Sequence, residues 1–226
     1  MRELILKELL KSREAKRPVV LATRLSDGIQ KLTYLADNSH ETWLIKASHE
    51  VLSSDKSRIV EAPDGAQWFL NAFNPPLRLV VVGAVHIAQP LARIGALAGY
   101  DVTVIDPRTA FASEDRFPGI ALITDWPDEA MATVAPDTRT AVVTLTHDPK
   151  LDDPALAAAL RSPAFYIGAL GSKKTHAARM DRLRAAGFDD QTLTRIHGPV
   201  GLSIGAKSPA EIAVSIMGQI TEVLRG

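Results

Sequence analysis

Three short segments carry residue types that could do chemistry. The first, Gly83-Ala84-Val85-His86-Ile87-Ala88, follows an apolar run and leads into a helical stretch, and Asp106 closes the next apolar run 23 residues after Gly83. A tight glycine turn, a helix N-terminus facing a pyrophosphate and an acid reaching a ribose hydroxyl are the parts of a dinucleotide fingerprint. Val85 stands where a second glycine normally lets the backbone approach the pyrophosphate. A β-branched residue there either strains the turn or holds the ligand off. The second segment, Gly168-Ala169-Leu170-Gly171-Ser172-Lys173-Lys174, offers backbone amides at a helix start beside two lysines, which favours a phosphate or another anion. Its spacing is not that of a Walker A loop, and glycines easing a sharp turn with lysines facing solvent explain it equally well. The third, His147-Asp148, ends an apolar run, and an imidazole beside a carboxylate suits a base, a cofactor contact, a metal ligand or simply a loop cap. No two histidines share the i, i+4 spacing of a helical metal site, so no metal site is expected.

These segments need a scaffold that brings them to one rim. From Leu79 onward, the apolar runs Leu79–Val82, Val102–Ile105, Ala121–Ile123, Thr140–Leu145 and Phe165–Ile167 alternate with stretches of helical character. Helices are expected at Ile87–Ala98, Pro127–Val134, Pro154–Leu160, Lys173–Ala186 and Pro209–Leu224. Strands apolar on both faces that alternate with helices belong to a parallel sheet covered on both sides. The expected fold class is α/β: a Rossmann-like sheet with helices on both faces over 77–226, preceded by a small α+β domain over 1–74. In that first domain an amphipathic helix over Met1–Arg17 precedes β-type runs at Val19–Thr23, Leu32–Leu35, Thr42–Ile45, Arg58–Val60 and Gln67–Phe73. Turn signals at Asp27-Gly28, Asp37-Asn38-Ser39 and Asp64-Gly65 separate them. Asn74-Pro75-Pro76 marks the boundary, because consecutive prolines fit neither helix nor ladder. On such a sheet Gly83, His86 and His147 fall at the carboxyl edge, where open α/β folds bind ligands. His40, His49 and His176 read as surface residues. In the glycine-rich loop over 196–207, His197 and Lys207 are the obvious chemical groups. Ser208, Pro209 and Glu211 spell a capping box for the last helix.

Composition narrows the function classes. Lys plus Arg balances Asp plus Glu at 26 each, so no global field favours nucleic acid or an anionic membrane. The chain holds no cysteine, which excludes disulfides, thiolate nucleophiles and thiolate-held metals and suits a cytoplasmic location. The apolar runs are too short to span a bilayer.

Read together, Asn74-Pro75-Pro76, the Gly83–Ala88 turn, Val104-Ile105-Asp106-Pro107-Arg108, Thr146-His147-Asp148, the 166–174 segment and the 198–213 segment resemble the XdhC/CoxI family. The resemblance implies a maturation factor for a molybdenum hydroxylase of the xanthine dehydrogenase or CO dehydrogenase type. It implies a molybdenum cofactor of molybdopterin type as ligand and an accessory rather than catalytic role. Gly83, Val85 and His86 would then serve the cofactor's phosphate end and Asp106 and Arg108 its polar groups. His147 with Gly171, Ser172 and Lys173 would line the cleft, which is expected between the two domains. The implied partners are the apo hydroxylase, a cysteine desulfurase and a companion XdhC-type subunit, with a homodimer left open. The sequence departs from the family pattern at Val85, at Ser203 where an aspartate is usual, and at Ser26-Asp27-Gly28 where a cysteine motif is usual. Without a thiol, the chain would hand the cofactor on rather than process sulfur. The rival reading is an NAD(P)-dependent oxidoreductase using the same turn, with Asp106 on the ribose and His147 as acid or base. A third makes the chain a structural partner that binds no small molecule.

Overall fold

The computed structural model describes residues 3–34 and 41–226 and divides into two compact units, Met1–Pro75 and Pro76–Gly226. The first unit opens with α1 (Glu3–Glu14) and continues β1 (Val19–Arg24), β2 (Gln30–Thr33), α2 (Thr42–Ser54), β3 (Arg58–Glu61) and β4 (Gln67–Phe73). Its strands form an antiparallel sheet in the order β2-β1-β4-β3. One sequence expectation fails here: Thr42–Ile45 begins a helix, not a strand. Leu44, Ser48, Val51 and Leu52 recur at helical spacing and are buried, so the β-type look of Trp43-Leu44-Ile45 yields to a longer amphipathic period. Ser48 ties that helix to the sheet through a buried 2.7 Å hydroxyl contact with Thr33. The strand expected at Leu32–Leu35 begins earlier, at Gln30, and the Asp37-Asn38-Ser39 turn and His40 lie outside the described residues.

The second unit runs β5 (Arg78–Val82), α3 (Ala88–Leu97), β6 (Asp101–Ile105), β7 (Ala121–Ile123), α4 (Pro127–Val134), β8 (Thr140–Thr144), α5 (Pro149–Arg161), β9 (Tyr166–Ala169), α6 (Lys173–Ala185), α7 (Asp190–Leu193), β10 (Ile196–His197) and α8 (Pro209–Arg225). Its six strands are parallel throughout, in the order β10-β9-β8-β5-β6-β7. The central strands are apolar on both faces because each face meets helices. Leu79, Val81, Ala141 and Val143 join the core under α3 and α8, while Val80, Val82 and Val142 join the one under α4, α5 and α6. Each such fully buried valine or leucine contributes about 1.5–3 kcal/mol.

Helix α5 starts five residues before the expected Pro154. Asp148 caps it by accepting from the Lys150 amide at 2.9 Å, Pro149 takes the first helical position, and Pro154 sits inside. Helix α8 has the expected capping box, with Ser208 accepting from the Glu211 amide and Glu211 accepting from the amides of Ser208 and Lys207. Among the described residues no helix is long and apolar enough to cross a membrane.

Candidate functional site

The order in which strands are added reverses between β5 and β8, since β6 and β7 lie to one side of β5 while β8, β9 and β10 lie to the other. Beyond the carboxyl ends of strands at such a switch point, the loops part and leave a crevice. Here the loops that flank that point are the turn Gly83–Ile87 and the loop Thr146–Asp148, which meet at Gly83 and Thr146.

Gly83 is at φ +107°, and a Cβ there would sit 2.4 Å from Thr146 Cγ2, so only glycine lets the turn close on the loop. Its own amide donates to the Ile105 carbonyl at 2.8 Å, and the Ala84 amide donates to Asp106 Oδ2 at 2.8 Å. The next three amides, of Val85, His86 and Ile87, have no partner among the described residues and stand at the start of α3, which lacks a side-chain cap. Such a row of free donors with the positive end of a helix dipole suits an anion. Val85 is not in the left-handed region and packs half-buried against the core, so the turn is not strained by it. His86 is exposed on the rim and lines a shallow hollow with Gln89, Arg93 and Pro209.

Asp106 is fully buried. Its Oδ1 accepts from the Arg108 amide at 3.0 Å and from Arg108 Nε at 2.9 Å, while Oδ2 accepts from the Ala84 amide and from Arg108 Nη2 at 2.7 Å. Four bonds fill the acceptor positions of a carboxylate, leaving none for a ribose hydroxyl. Burial pushes this carboxyl up, but the Arg108 and Ala84 hydrogen bonds outweigh it and hold it below the usual range. Arg108 is the partner that remains accessible: its side chain is 41% exposed, lies over Phe111 at 4.6 Å, and feels the charges of Asp148 and Asp152.

The opposite wall is organised by a residue the sequence reading passed over. Asp152, fully buried in the first turn of α5, accepts from Thr146 Oγ1 at 2.6 Å, from the Thr146 amide at 3.3 Å and from the His147 amide at 3.0 Å. These bonds hold His147 at φ +63°, an uncommon conformation for a non-glycine residue, with its ring exposed. Burial raises the Asp152 carboxyl despite those donors and the nearby Arg179. Arg179 contacts Asp152 at 3.4 Å and donates to the Leu170 carbonyl at 2.9 Å, which links the loop to the next turn. That turn, Gly171–Lys174, starts α6. Ser172 is its N-cap, accepting from the Thr175 amide at 3.1 Å, so its hydroxyl is engaged by the helix rather than free. The amides of Gly171, Ser172, Lys173 and Lys174 have no partner among the described residues, and both lysine side chains are exposed.

The remaining histidines divide. His49 is exposed as expected, whereas His176 is half-buried against Gly198 with a buried, unpartnered Nδ1, so the surface reading of His176 is corrected. Burial first, and Arg179 second, lower its pKa. His197 stacks on Tyr166 at 4.8 Å and is also lowered by burial, so it packs rather than faces a ligand. Lys207 serves the α8 cap through its amide. Among the described residues there is no group of three or more His, Cys, Asp or Glu side chains suited to a metal ion. The signal for Asp152 and Arg179 was weak: Arg179 precedes Met180 and lies four residues before Leu183, which puts it on the buried stripe of a helix that otherwise reads as charged all round.

Residues 79–220 match the XdhC Rossmann domain family. The chain is 33% identical over 160 residues to the molybdenum cofactor insertion chaperone PaoD of Escherichia coli (strain K12), covering 69% of this chain and 44% of that protein. It is 33% identical over 155 residues to a protein of Bacillus subtilis (strain 168) described as a probable xanthine dehydrogenase subunit, covering 68% of this chain and 45% of that protein. The matched part thus spans less than half the length of either curated relative. A crystal structure described as a xanthine dehydrogenase from Bacillus halodurans superposes with a TM-score of 0.71 at 26% identity, covering 98% of this chain and 64% of that one.

Proposed function

The chain belongs to the XdhC Rossmann domain family, and from that premise we propose that it is a molybdenum-cofactor chaperone whose crevice holds the phosphoryl end of a molybdopterin-type cargo for delivery to an apo molybdenum hydroxylase. The observation that carries this reading is the pair of unpartnered amide rows, at Val85–Ile87 and at Gly171–Lys174, on one sheet rim. The name of the PaoD relative supports the cargo, and the description of the Bacillus subtilis relative supports a hydroxylase of the xanthine dehydrogenase type as recipient. In this reading Val85 and His86 supply backbone donors, while Gly83, whose amide is taken by the Ile105 carbonyl, lets the turn close. Asp106 acts by fixing Ala84 and Arg108, so that Arg108 presents its exposed edge to the cargo. His147 contributes its ring from the facing loop, and Lys173 adds positive charge beside the amides of Gly171 and Ser172. The nicotinamide-dependent alternative gains nothing from Asp106, whose acceptor positions are taken by protein donors.

The test has two arms. Equilibrium dialysis of the purified protein against molybdopterin, read as fluorescent oxidised pterin, is expected to show saturable retention. Deleting the gene in the source organism is expected to leave the hydroxylase synthesised but poor in molybdenum and activity. Full molybdenum occupancy and normal specific activity without this chain would overturn the proposal.

A further inference from the structure

A buried cation next to the crevice is under-used by the protein. Arg179 is 1% exposed, as is Asp152, its ion-pair partner, yet the two meet through a single 3.4 Å contact from Nη2. A well-formed arginine–carboxylate pair makes two parallel bonds at about 2.7–2.9 Å. Asp152 has no need of a closer approach, because Thr146 and the His147 amide already supply three donors. The better bond from Nη2 goes instead to the Leu170 carbonyl. Nε and Nη1 of Arg179 are buried and have no partner. An arginine keeps its charge even when burial disfavours it, and a buried N–H without an acceptor is costly.

What lies over this guanidinium is the Gly171 turn. A Cβ on Gly171 would stand 3.1 Å from Thr175 Cβ and Cγ2 and 3.8 Å from Arg179 Nη1, so the glycine lets the turn pack on Thr175 and run close to the cation. On the same turn four successive amides, Gly171 to Lys174, point at no acceptor among the described residues, and α6 presents its positive dipole end there. Lys173 and Lys174 flank it from the solvent side. Donors from the backbone, a desolvated guanidinium and two outer ammonium groups all call for the same guest: a compact, multiply charged oxyanion.

We infer that Arg179, together with the Gly171–Lys174 amides, forms a seat for a tetrahedral oxyanion, and that the bound oxyanion, by displacing the Gly171 turn that covers the guanidinium, supplies the acceptor that Nη1 lacks. This deepens the reading above and rests on it for the name of the ligand, since the seat would take the phosphoryl group of a pterin or a free phosphate alike. Arg179 also touches Asp152, which holds the His147 loop, so an anion that draws the guanidinium toward Gly171 loosens its contact with Asp152. Occupancy of the seat is thereby coupled to the facing wall of the crevice.

The test uses the full chain with inorganic phosphate as probe, in titrations at constant ionic strength against chloride. Phosphate is expected to bind saturably, to raise the melting temperature and to shift the Nε–H resonance of Arg179 in nitrogen-15 spectra. Lys173→Glu with Lys174→Glu changes only exposed side chains and is expected to weaken phosphate by about tenfold or more. Arg179→Met combined with Asp152→Asn removes both buried charges and is expected to abolish binding. Should that double variant not fold, Arg179→Lys keeps the charge but loses the fork geometry and is expected to weaken phosphate. A phosphate response equal to that of chloride, an unmoved Arg179 resonance, or full phosphate affinity in the lysine-reversal variant would overturn the seat. Competition separates the two proposals: phosphate binding without any molybdopterin retention keeps the seat and sinks the cargo, whereas molybdopterin retention indifferent to phosphate and to Arg179→Lys keeps the cargo and sinks the seat.

Discussion

Replacing Gly83 with alanine tests whether the first turn really closes on the Thr146 loop. At φ +107° an L-residue is strained, at a cost of about 1–3 kcal/mol. The new methyl group would also stand 2.4 Å from Thr146 Cγ2 and 3.3 Å from the Thr146 amide nitrogen. Overpacking of that kind adds about 1–3 kcal/mol. Together these come to about 2–6 kcal/mol, a large part of the 5–15 kcal/mol or so that holds a domain folded. The two contributions separate in a cycle with Thr146→Ser, which removes Cγ2 but keeps the hydroxyl that donates to Asp152. The serine should therefore restore much of the packing cost and none of the backbone strain, giving a coupling of about 1–3 kcal/mol. Because the chain has two compact units, the measurement should be native-state hydrogen exchange of the β5 and β8 amides, which reports the second unit by itself. A Gly83→Ala cost below about 1 kcal/mol, or a serine partner that restores nothing, would refute the argument that turn and loop are held in contact.

Asp106→Asn should destabilise the protein by about 1–3 kcal/mol, because an amide cannot accept all four donors that now converge on the carboxylate. The wild-type carboxyl is held below its unfolded value of 3.8, so its contribution is present above that pH and is lost as the pH falls below it. Acid titration of the unfolding midpoint should thus be shallower for the asparagine variant. His176 and His197 are both lowered by burial, so the unfolded chain binds more protons than the native one below the ordinary histidine value of 6.5, and stability should drop as pH falls from 7 through that region. Thermal melts of His176→Asn with His197→Asn should show a flatter profile over that range. Ser208→Ala should cost about 1 kcal/mol through loss of the α8 cap and leave anion affinity unchanged when measured well below the melting temperature.

The sequence made the second unit legible because its strands obey two constraints at once. Val80-Val81-Val82 and Ala141-Val142-Val143 are apolar at every position, and only a strand buried on both faces needs that. The Gly83 turn was legible for a similar reason, since a left-handed backbone and a close neighbour both demand glycine. Where one constraint stood alone, the reading slipped. Trp43-Leu44-Ile45 looks like a strand until Ser48, Val51 and Leu52 are counted on the same face, and Pro154 looks like a helix start until Asp148 and Pro149 are weighed as a cap and first turn.

The polar interior escaped for a different physical reason. Asp152 shares the buried stripe of α5 with Ala155, Leu156 and Ala159, but a helix expected only from Pro154 leaves it outside, and its partner Arg179, 27 residues on, is brought to it by the fold and not by the chain. The same holds for Asp106. Its spacing from Gly83 pointed to a ligand, but the fold delivers Ala84 and Arg108 to its carboxylate first. Asp106 and Asp152 are therefore committed to protein donors, Asp148 caps α5 through one oxygen, and the groups left over include amides, arginines and lysines. A crevice built that way selects for negative charge in whatever enters it. In the proposed reading a neutral pterin ring would have to be held by its phosphoryl end, and a variant that removes positive charge from the rim should lose the proposed cargo before it loses the fold.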